Sequence, residues 1–368
     1  MVETSGQPTV PSKMLGLELL RFGCAFAVLL WHYQHFYQVI GSPRYVIDAQ
    51  PMFAVLAPFY RFGLFGVQMF WGISGFIFFW KYGTAIANGA VGAGKFFWLR
   101  FSRLYPLHLV TLLAVAALQP VHVLLTGQPF IYHGNTPSQF VLNVFMATQW
   151  SMQAPFSFNG PIWSVSAEVF VYALFFLLVR RFGNSLAVTA AMVLASLVAG
   201  MMHAVTPIVA CASYFFAGGL AAQLFERVGE ERGARGIAAG LLALLVGGAA
   251  WNGWLTKSDA NPLLILFGLP PLLFLLARDP KPLERFARPI EIAGNLTYST
   301  YLCHFPLQLI VAVGVAASGI ALPVASTWFL AAYLGVTMAV GYVVFERFER
   351  PAQGTIRGWA RRRQTLPA

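Results

Sequence analysis

Charge is what this chain of 368 residues has least of: Asp, Glu, Lys and Arg together make up 10% of it. A soluble domain carries about 25%. A deficit that large leaves too little polar surface to coat a water-facing globule. Acid is scarcer still, with 13 Asp and Glu against 24 Lys and Arg, a formal charge of +11. The three cysteines, Cys24, Cys211 and Cys303, all fall in apolar runs and form no metal-ligand or disulfide spacing, so they read as small apolar fillers. No period of 20–50 residues appears, which excludes a solenoid or propeller. No Pro/Ser-rich linker sets off a soluble module. A cleavable secretory signal is excluded too: the apolar stretch after Lys13 contains Glu18 and Arg21, runs to about Tyr37 and lacks a small-residue cleavage site.

What the chain does have is 58% hydrophobic residues and a mean hydropathy of +0.66. Runs long enough to cross a bilayer lie near 14–37, 60–80, 104–126, 161–180, 184–203, 206–225, 236–255, 262–278, 291–316 and 323–346. The expectation is therefore an all-α polytopic membrane protein of about ten transmembrane helices. Residues 1–13 form a short N-terminal segment, 14–350 the membrane domain and 351–368 a basic tail. Phe140 to Trp150 is apolar but too short to cross, and reads as a re-entrant or outer-face helix.

The basic residues test that count. With the N-terminus inside, inner segments hold Lys13, then Lys81, Lys95, Arg100 and Arg103, then Arg180 and Arg181. Arg227, Arg232 and Arg235 follow, then Arg278, Lys281, Arg285 and Arg288, and finally the tail arginines from Arg347 onward. Outer segments hold only Arg44, Arg61 and Lys257. This is the asymmetry that the positive-inside rule demands, and it puts both termini in the cytoplasm. The basic charge thus belongs to span ends, which argues against nucleic acid as a partner.

Ionisable residues inside spans are costly and face a protein interior or a water-filled cavity. The first helix carries Glu18, Arg21, His32 and His35. Arg21 and His32 are eleven residues apart, about three full turns, so they share a face with His32 roughly 16 Å nearer the outer side. Glu18 lies one turn from Arg21 and is its candidate partner, while His35 reads as interfacial. Glu168 lies about two turns into the fourth span, with no basic neighbour on its own helix, and Trp163 fits the aromatic belt. The ninth span holds Ser299, Tyr301 and His304 at depth, and Pro306 there frees a backbone carbonyl. Gly72-Ile73-Ser74-Gly75 suits close helix packing. At the inner entrance to the third span Arg100 and Arg103 are one turn apart. Two guanidinium forks on one face suit phosphate oxygens, although an anchoring role is the simpler reading of that pair alone.

In order along the chain, these motifs resemble membrane-bound acyltransferase family 3. Arg21, ten residues and His32 match its signature, and Gly66 to Phe76 is similar to its Gly-Val-x-x-Phe-Phe-x-Ile-Ser-Gly-Phe, with Trp71 and Gly72 as departures. Arg100, Arg103 and Pro106 match Arg-x-x-Arg-x-x-Pro. Trp163 to Glu168 matches Trp-Ser-Leu-Ser-x-Glu with Val165 for Leu. Tyr298 to Pro306 resembles Ser-Tyr-x-x-Tyr-Leu-x-His-x-Pro with its first two letters reversed, and Glu349-Arg350-Pro351 the closing Glu-x-Pro. The resemblance implies transfer of an acyl group, commonly acetyl, from cytoplasmic acetyl-CoA or another acyl-CoA. The acceptor is expected to be a hydroxyl of a glycan or glycolipid, as in polysaccharide modification at a bacterial inner membrane. It also implies a stand-alone form without the fused hydrolase-like domain of some members. No metal is expected.

On this reading Arg100 and Arg103 hold the CoA phosphates, and the pantetheine arm passes Arg21 to reach His32. An alcohol must lose its proton as it attacks, and an imidazole is suited to take it. Glu168 is the candidate to orient or charge-balance the imidazolium; Ser74, Tyr301 and His304 are candidate oxyanion donors. Acylation of His32 or of Cys303 is the covalent alternative. Two rival classes stand beside the enzyme. A proton-coupled transporter would also need buried Arg, His and Glu, but leaves the arginine pair unexplained and lacks a visible inverted repeat. A non-catalytic scaffold leaves the intramembrane charges unexplained.

Overall fold

A computed structural model describes residues 14–151, 154–202, 204, 206–229, 231–252, 263–278 and 281–364. The expected segment 1–13 with Lys13, the outer Lys257 and the last residues of the tail lie outside these. Among the described residues the regular structure is helical throughout. That follows from the environment: in lipid no water satisfies backbone N–H and C=O groups, so each apolar run must close its own hydrogen bonds.

Thirteen helices carry the fold among the described residues. α1 (Leu15–His32) continues as a 3₁₀ turn, Tyr33–Gln38. α2 (Phe53–Phe62) and α3 (Phe65–Ala87) form a pair bent by 60°, and a π turn at Phe79–Gly83 interrupts α3. α4 (Ala93–Thr126) is the longest at 34 residues, followed by the short α5 (Pro137–Val144). Then come α6 (Ile162–Phe182), α7 (Leu186–Met201), α8 (Pro207–Val228) and α9 (Arg232–Asn252). α10 (Leu264–Leu276), α11 (Ala287–Ser318), α12 (Thr327–Val344) and α13 (Arg350–Gln364) complete the chain. Thr136, Ser185, Thr206 and Ser326 cap the starts of α5, α7, α8 and α12 by accepting an amide hydrogen bond. Gly127 and Gly319 end α4 and α11 with φ of 81° and 70°, where a Cβ is strained.

Among the described residues six helices are long and apolar enough to cross a membrane, or seven if the bent α2–α3 pair is one span. Apolar runs in the sequence number about ten. The difference is α7, α9 and α10: the span expected at 236–255 runs beyond the described residues, and α7 has 16 residues, about 24 Å of rise against a hydrocarbon core of about 30 Å. α10 is shorter still and carries a π turn at Leu264–Gly268. The apolar stretch at 140–150, expected not to cross, overlaps only the second half of the eight-residue α5. The inside-out distribution of apolar side chains agrees with a membrane protein. Val110, Leu113 and Leu124 of α4 and Leu177 of α6 face outward, while Gln119, Ser166 and His304 are buried.

Two helices organise the bundle. α8 packs against α3, α6, α7 and α10; α11 packs against α1, α4 and α12; the α1–α3 contact joins the halves. The first half has a core of Trp71, Phe78, Phe175 and Phe215, the second one of Tyr33, Phe36, Phe305 and Tyr333. Glycine sets the α3–α8 distance. A Cβ on Gly75 would overlap the Phe215 carbonyl, and one on Gly218 the Gly72 carbonyl. The expected close packing of the Gly72–Gly75 motif is thus made by its glycines, which leaves Ser74 free for another task.

Candidate active site

A cavity of about 730 Å³ opens between the halves. Seven cationic side chains line it (Arg21, Lys81, Lys95, Arg100, Arg103, Arg350 and Arg357) against two carboxylates, Glu18 and Glu168. From the basic residues at the start of α4 the lining passes through Arg21, Ser74 and Thr297 to Ser164 and Tyr301. Of the eight residues expected at the site from sequence, six bound this one chamber: Arg21, Ser74, Arg100, Arg103, Glu168 and Tyr301. His32 and His304 do not line it.

The arginines differ in how they are held. Arg21 donates to both oxygens of Glu18 at 3.3 Å and to Thr297 Oγ1 at 3.5 Å, which is the partnership expected one turn away. Arg100 donates to Tyr82 Oη at 2.9 Å, and its guanidinium lies 4.9 Å from the Phe78 ring and 5.2 Å from the Tyr82 ring. Its Nε has no partner among the described residues. Arg103 makes no hydrogen bond or ion pair among them. It faces Arg21 and the buried Glu349, which accepts from Ser299 and, at 2.9 Å, from Gln353. Aromatic faces leave Arg100's remaining N–H groups for a ligand, and Arg103 is ready to bind.

Glu168 faces the hydroxyls of Ser74 and Tyr172, with Arg21 and Arg100 as its cationic neighbours. One of its oxygens, Oε1, is buried without a partner among the described residues. No contact joins Glu168 to His32 among them. The carboxylate belongs to the cationic chamber.

The histidines form their own cluster beyond the chamber's Tyr301 end. The His32 and His304 rings are 4.6 Å apart by centroid, His32 and His35 5.0 Å, and Tyr301 and His304 5.9 Å. His32 is 5% exposed and His304 fully buried, so neither points at lipid. His32 Nδ1 lies 2.8 Å from the Val28 carbonyl and His304 Nδ1 2.6 Å from the Tyr301 carbonyl. A carbonyl only accepts, so in both neutral rings Nδ1 carries the proton and Nε2 keeps its lone pair. His304 Nε2 has no partner among the described residues. A neutral His304 is thus a proton acceptor at Nε2, at odds with the oxyanion-donor role that sequence suggests for it. His35, expected to be interfacial, is instead buried and bonded at Nδ1 to Gln308 Oε1 at 2.9 Å. Gln308 Nε2 donates to the His32 carbonyl at 2.9 Å. Among the described residues no group of His, Cys, Asp or Glu has metal-holding geometry.

Tyr301 and Ser164 form the wall between chamber and cluster. Their hydroxyls are 2.8 Å apart, and both reach the Pro161 carbonyl, at 3.0 and 3.2 Å. One of the two protons goes to that carbonyl and the other joins the hydroxyls, so an oxyanion would draw on a preformed pair. Pro306 does free a carbonyl: lacking an N–H, it leaves Leu302 O without its helical donor. Asn159 Nδ2 fills that place at 3.1 Å. Over the cluster sits Tyr132, whose ring is 6.1 Å from His35 and occupies the space a side chain at Gly160 would need. Burial, and then the Tyr301 phenol nearby, push the Tyr132 phenol up, so it remains a proton donor. Cys303 is a buried free thiol that does not line the chamber.

Sequence reasoning missed Ser164, Gln308, Asn159 and the Glu349 carboxylate. Ser164 and Glu349 stood inside quoted motifs. Nothing in the sequence marked Gln308 or Asn159 beyond their placement in or beside an apolar run.

A sequence profile described as an acyltransferase domain matches residues 14–346. Among curated proteins the chain is similar to one named acyltransferase MdmB from Streptomyces mycarofaciens, with 27% identity over 165 residues. That alignment covers 44% of this chain and spans only 38% of the relative's length. No solved structure matches.

Proposed function

Because the chain belongs to the acyltransferase-domain family, whose profile spans residues 14–346, we propose that it transfers an acyl group from acyl-CoA to a hydroxyl acceptor within the membrane. Acetyl-CoA is the proposed donor, bound from the cytoplasm. A glycan or glycolipid is the proposed acceptor class, and a bacterial inner membrane with both termini cytoplasmic the proposed setting. Within that setting α7, α9 and α10 complete a ten-pass topology, as the distribution of Lys and Arg asks, the short α7 and α10 being accommodated by local thinning of the bilayer.

The observation that carries the reading is one cation-lined chamber running from Arg100 and Arg103 to the Ser164–Tyr301 pair, with two Nε2-basic imidazoles immediately behind that pair. The donor's phosphates would lie against Arg100 and Arg103, and its thioester would pass Arg21. As the acceptor oxygen attacks the thioester carbon, His32 Nε2 takes its proton. The carbonyl electrons move onto oxygen, toward the hydroxyls of Tyr301 and Ser164. When the intermediate collapses, the C–S bond breaks and the thiolate recovers a proton from the imidazolium, so the ring returns to its starting form. Tyr301 is the element that must yield, since its ring stands between the chamber and His304.

Purified protein in lipid, supplied with acetyl-CoA and hydroxyl acceptors, tests the activity. Loss of an acetyl mass from surface glycans or lipids of cells lacking the gene would identify the acceptor. His32→Ala is expected to abolish transfer while the protein still accumulates in the membrane. Normal turnover by that variant would remove the proposed base.

A further inference from the structure

The chamber carries more positive charge than a diphosphate needs, and the surplus comes partly from the helix that follows the last span. That match ends at residue 346, whereas Arg350, Gln353 and Arg357 of α13 line the chamber. α13 is docked on the first turns of α4. Arg357 Nε donates to Ser102 Oγ at 3.2 Å, next to Arg103, and its Nη2 to Gln353 Oε1 at 3.1 Å. Gln353 in turn holds Glu349, and the Trp98 and Trp359 rings pack 5.7 Å apart. The Arg100–Tyr82 bond ties the same turns to α3, which carries Lys81 next to Tyr82. Lys81 and Lys95 are exposed at the rim. The first turns of α4, which carry Lys95, are thus joined to Lys81 of α3 and to Arg350 and Arg357 of α13, and all four cations line the same chamber.

The seven cations outnumber the two lining carboxylates by five, but Arg350 is paired with Glu346 at 3.0 Å and Arg103 faces Glu349, which leaves about three positive charges, still more than a diphosphate's two. A nucleotide diphosphate diester brings about two negative charges, and a phosphate monoester adds about 1.5 to 2 more at pH 7. We propose that Arg350 and Arg357 of α13, with Lys81 and Lys95, form a second phosphate subsite, which recognises the monoester phosphate of a CoA-type donor and so distinguishes it from the dephosphorylated nucleotide thioester. The inference rests on the donor reading of the chamber and assigns it a determinant beyond the Arg100–Arg103 pair. It makes α13 part of the donor site.

Calorimetric binding of CoA and of dephospho-CoA to the full chain in nanodiscs tests this without knowledge of the acceptor. Wild-type protein is expected to prefer CoA by about tenfold or more, a preference that weakens with salt. Both Arg350→Gln/Arg357→Gln and Lys81→Gln/Lys95→Gln should narrow that preference, mainly by weakening CoA. Both lysines stand exposed at the rim, so their replacement leaves the packing intact and keeps the test meaningful if the α13 variant unfolds. Equal binding of the two nucleotides by the wild type, or an unchanged preference in the folded variants, overturns the second subsite. If Arg103→Gln also leaves CoA affinity unchanged, the donor reading itself fails. If Arg103→Gln alone weakens CoA, only the contribution of α13 and the lysines is lost.

Discussion

Asn159 offers the most quantitative test of how the bundle holds its reactive wall. Replacing it with Leu keeps the volume roughly constant but removes the donor that satisfies Leu302 O at 3.1 Å. Pro306, four residues on, has no N–H to offer that carbonyl, and both Asn159 and Leu302 are fully buried. An orphaned buried carbonyl costs about 1–3 kcal/mol. Side-chain hydrogen bonds between membrane helices average lower, about 0.6 kcal/mol, because alternative partners exist. Here the burial of Leu302 and the continuous helix on either side of it leave no alternative, so a cost of about 1–2 kcal/mol is expected. The diagnostic partner is Pro306→Ala, which restores an N–H that reaches Leu302 O in ordinary helical geometry. Alone it should change little, since a carbonyl can accept twice. In the Asn159→Leu background it should recover most of the loss, giving a coupling on the order of 1 kcal/mol. Thermal unfolding of the four proteins in one detergent measures this, with midpoint shifts on the order of 2 °C per kcal/mol. If Asn159→Leu and the double variant unfold together, the freed carbonyl is not what Asn159 serves.

Other outcomes follow from single contacts. Gly75→Ala should destabilise the protein by about 1–3 kcal/mol or prevent its accumulation, because the new methyl meets the Phe215 backbone. Gly23→Ala, where nothing lies within 4 Å, should be neutral or mildly stabilising, and equal melting of the two variants would discount the α3–α8 contact. His304→Ala should lower the turnover rate with little change in acyl-CoA affinity; a selective rise in donor KM would place its role in binding. Glu349→Gln replaces an acceptor of two donors with a group that presents one of its own, so it should cost about 1–3 kcal/mol. Retained stability in that variant would show that Ser299 and Gln353 find other partners.

Much of this was legible in the residues, for identifiable reasons. Helical periodicity alone put Glu18 beside Arg21 and aligned Arg21 with His32, because both relations lie within one helix. Relations between helices were not legible. His32 meets His304 only because α1 packs along α11, and no spacing reveals that. Glu168 was expected to orient or charge-balance the imidazolium, since it has no basic neighbour on its own helix, yet the packing directs it to Ser74, Tyr172 and the arginines. Hydropathy also treats an apolar helix of 16 residues and one of 21 alike when neighbouring apolar loop residues extend the run. Hence α7 reads as a full span, and its helix is shorter.

The separation of Glu168 from His32 changes what the carboxylate is expected to do. Each imidazole is already held in its reactive tautomer by a carbonyl of its own helix, so no carboxylate is needed to orient it. Glu168 instead supplies one of two negative charges in a chamber with seven positive ones. Removing that charge should strengthen the attraction for a polyanion and leave the imidazoles as they are. Glu168→Gln is therefore expected to bind CoA severalfold more tightly at low ionic strength, with the gain fading as salt screens the charges. The midpoint of the pH–rate profile for the step requiring His32 should stay in place. An orienting role makes the opposite forecast, in which that midpoint moves, turnover collapses and CoA affinity is unchanged. Measuring affinity against salt and rate against pH on the same variant separates the two assignments, and the second pattern would return Glu168 to the base.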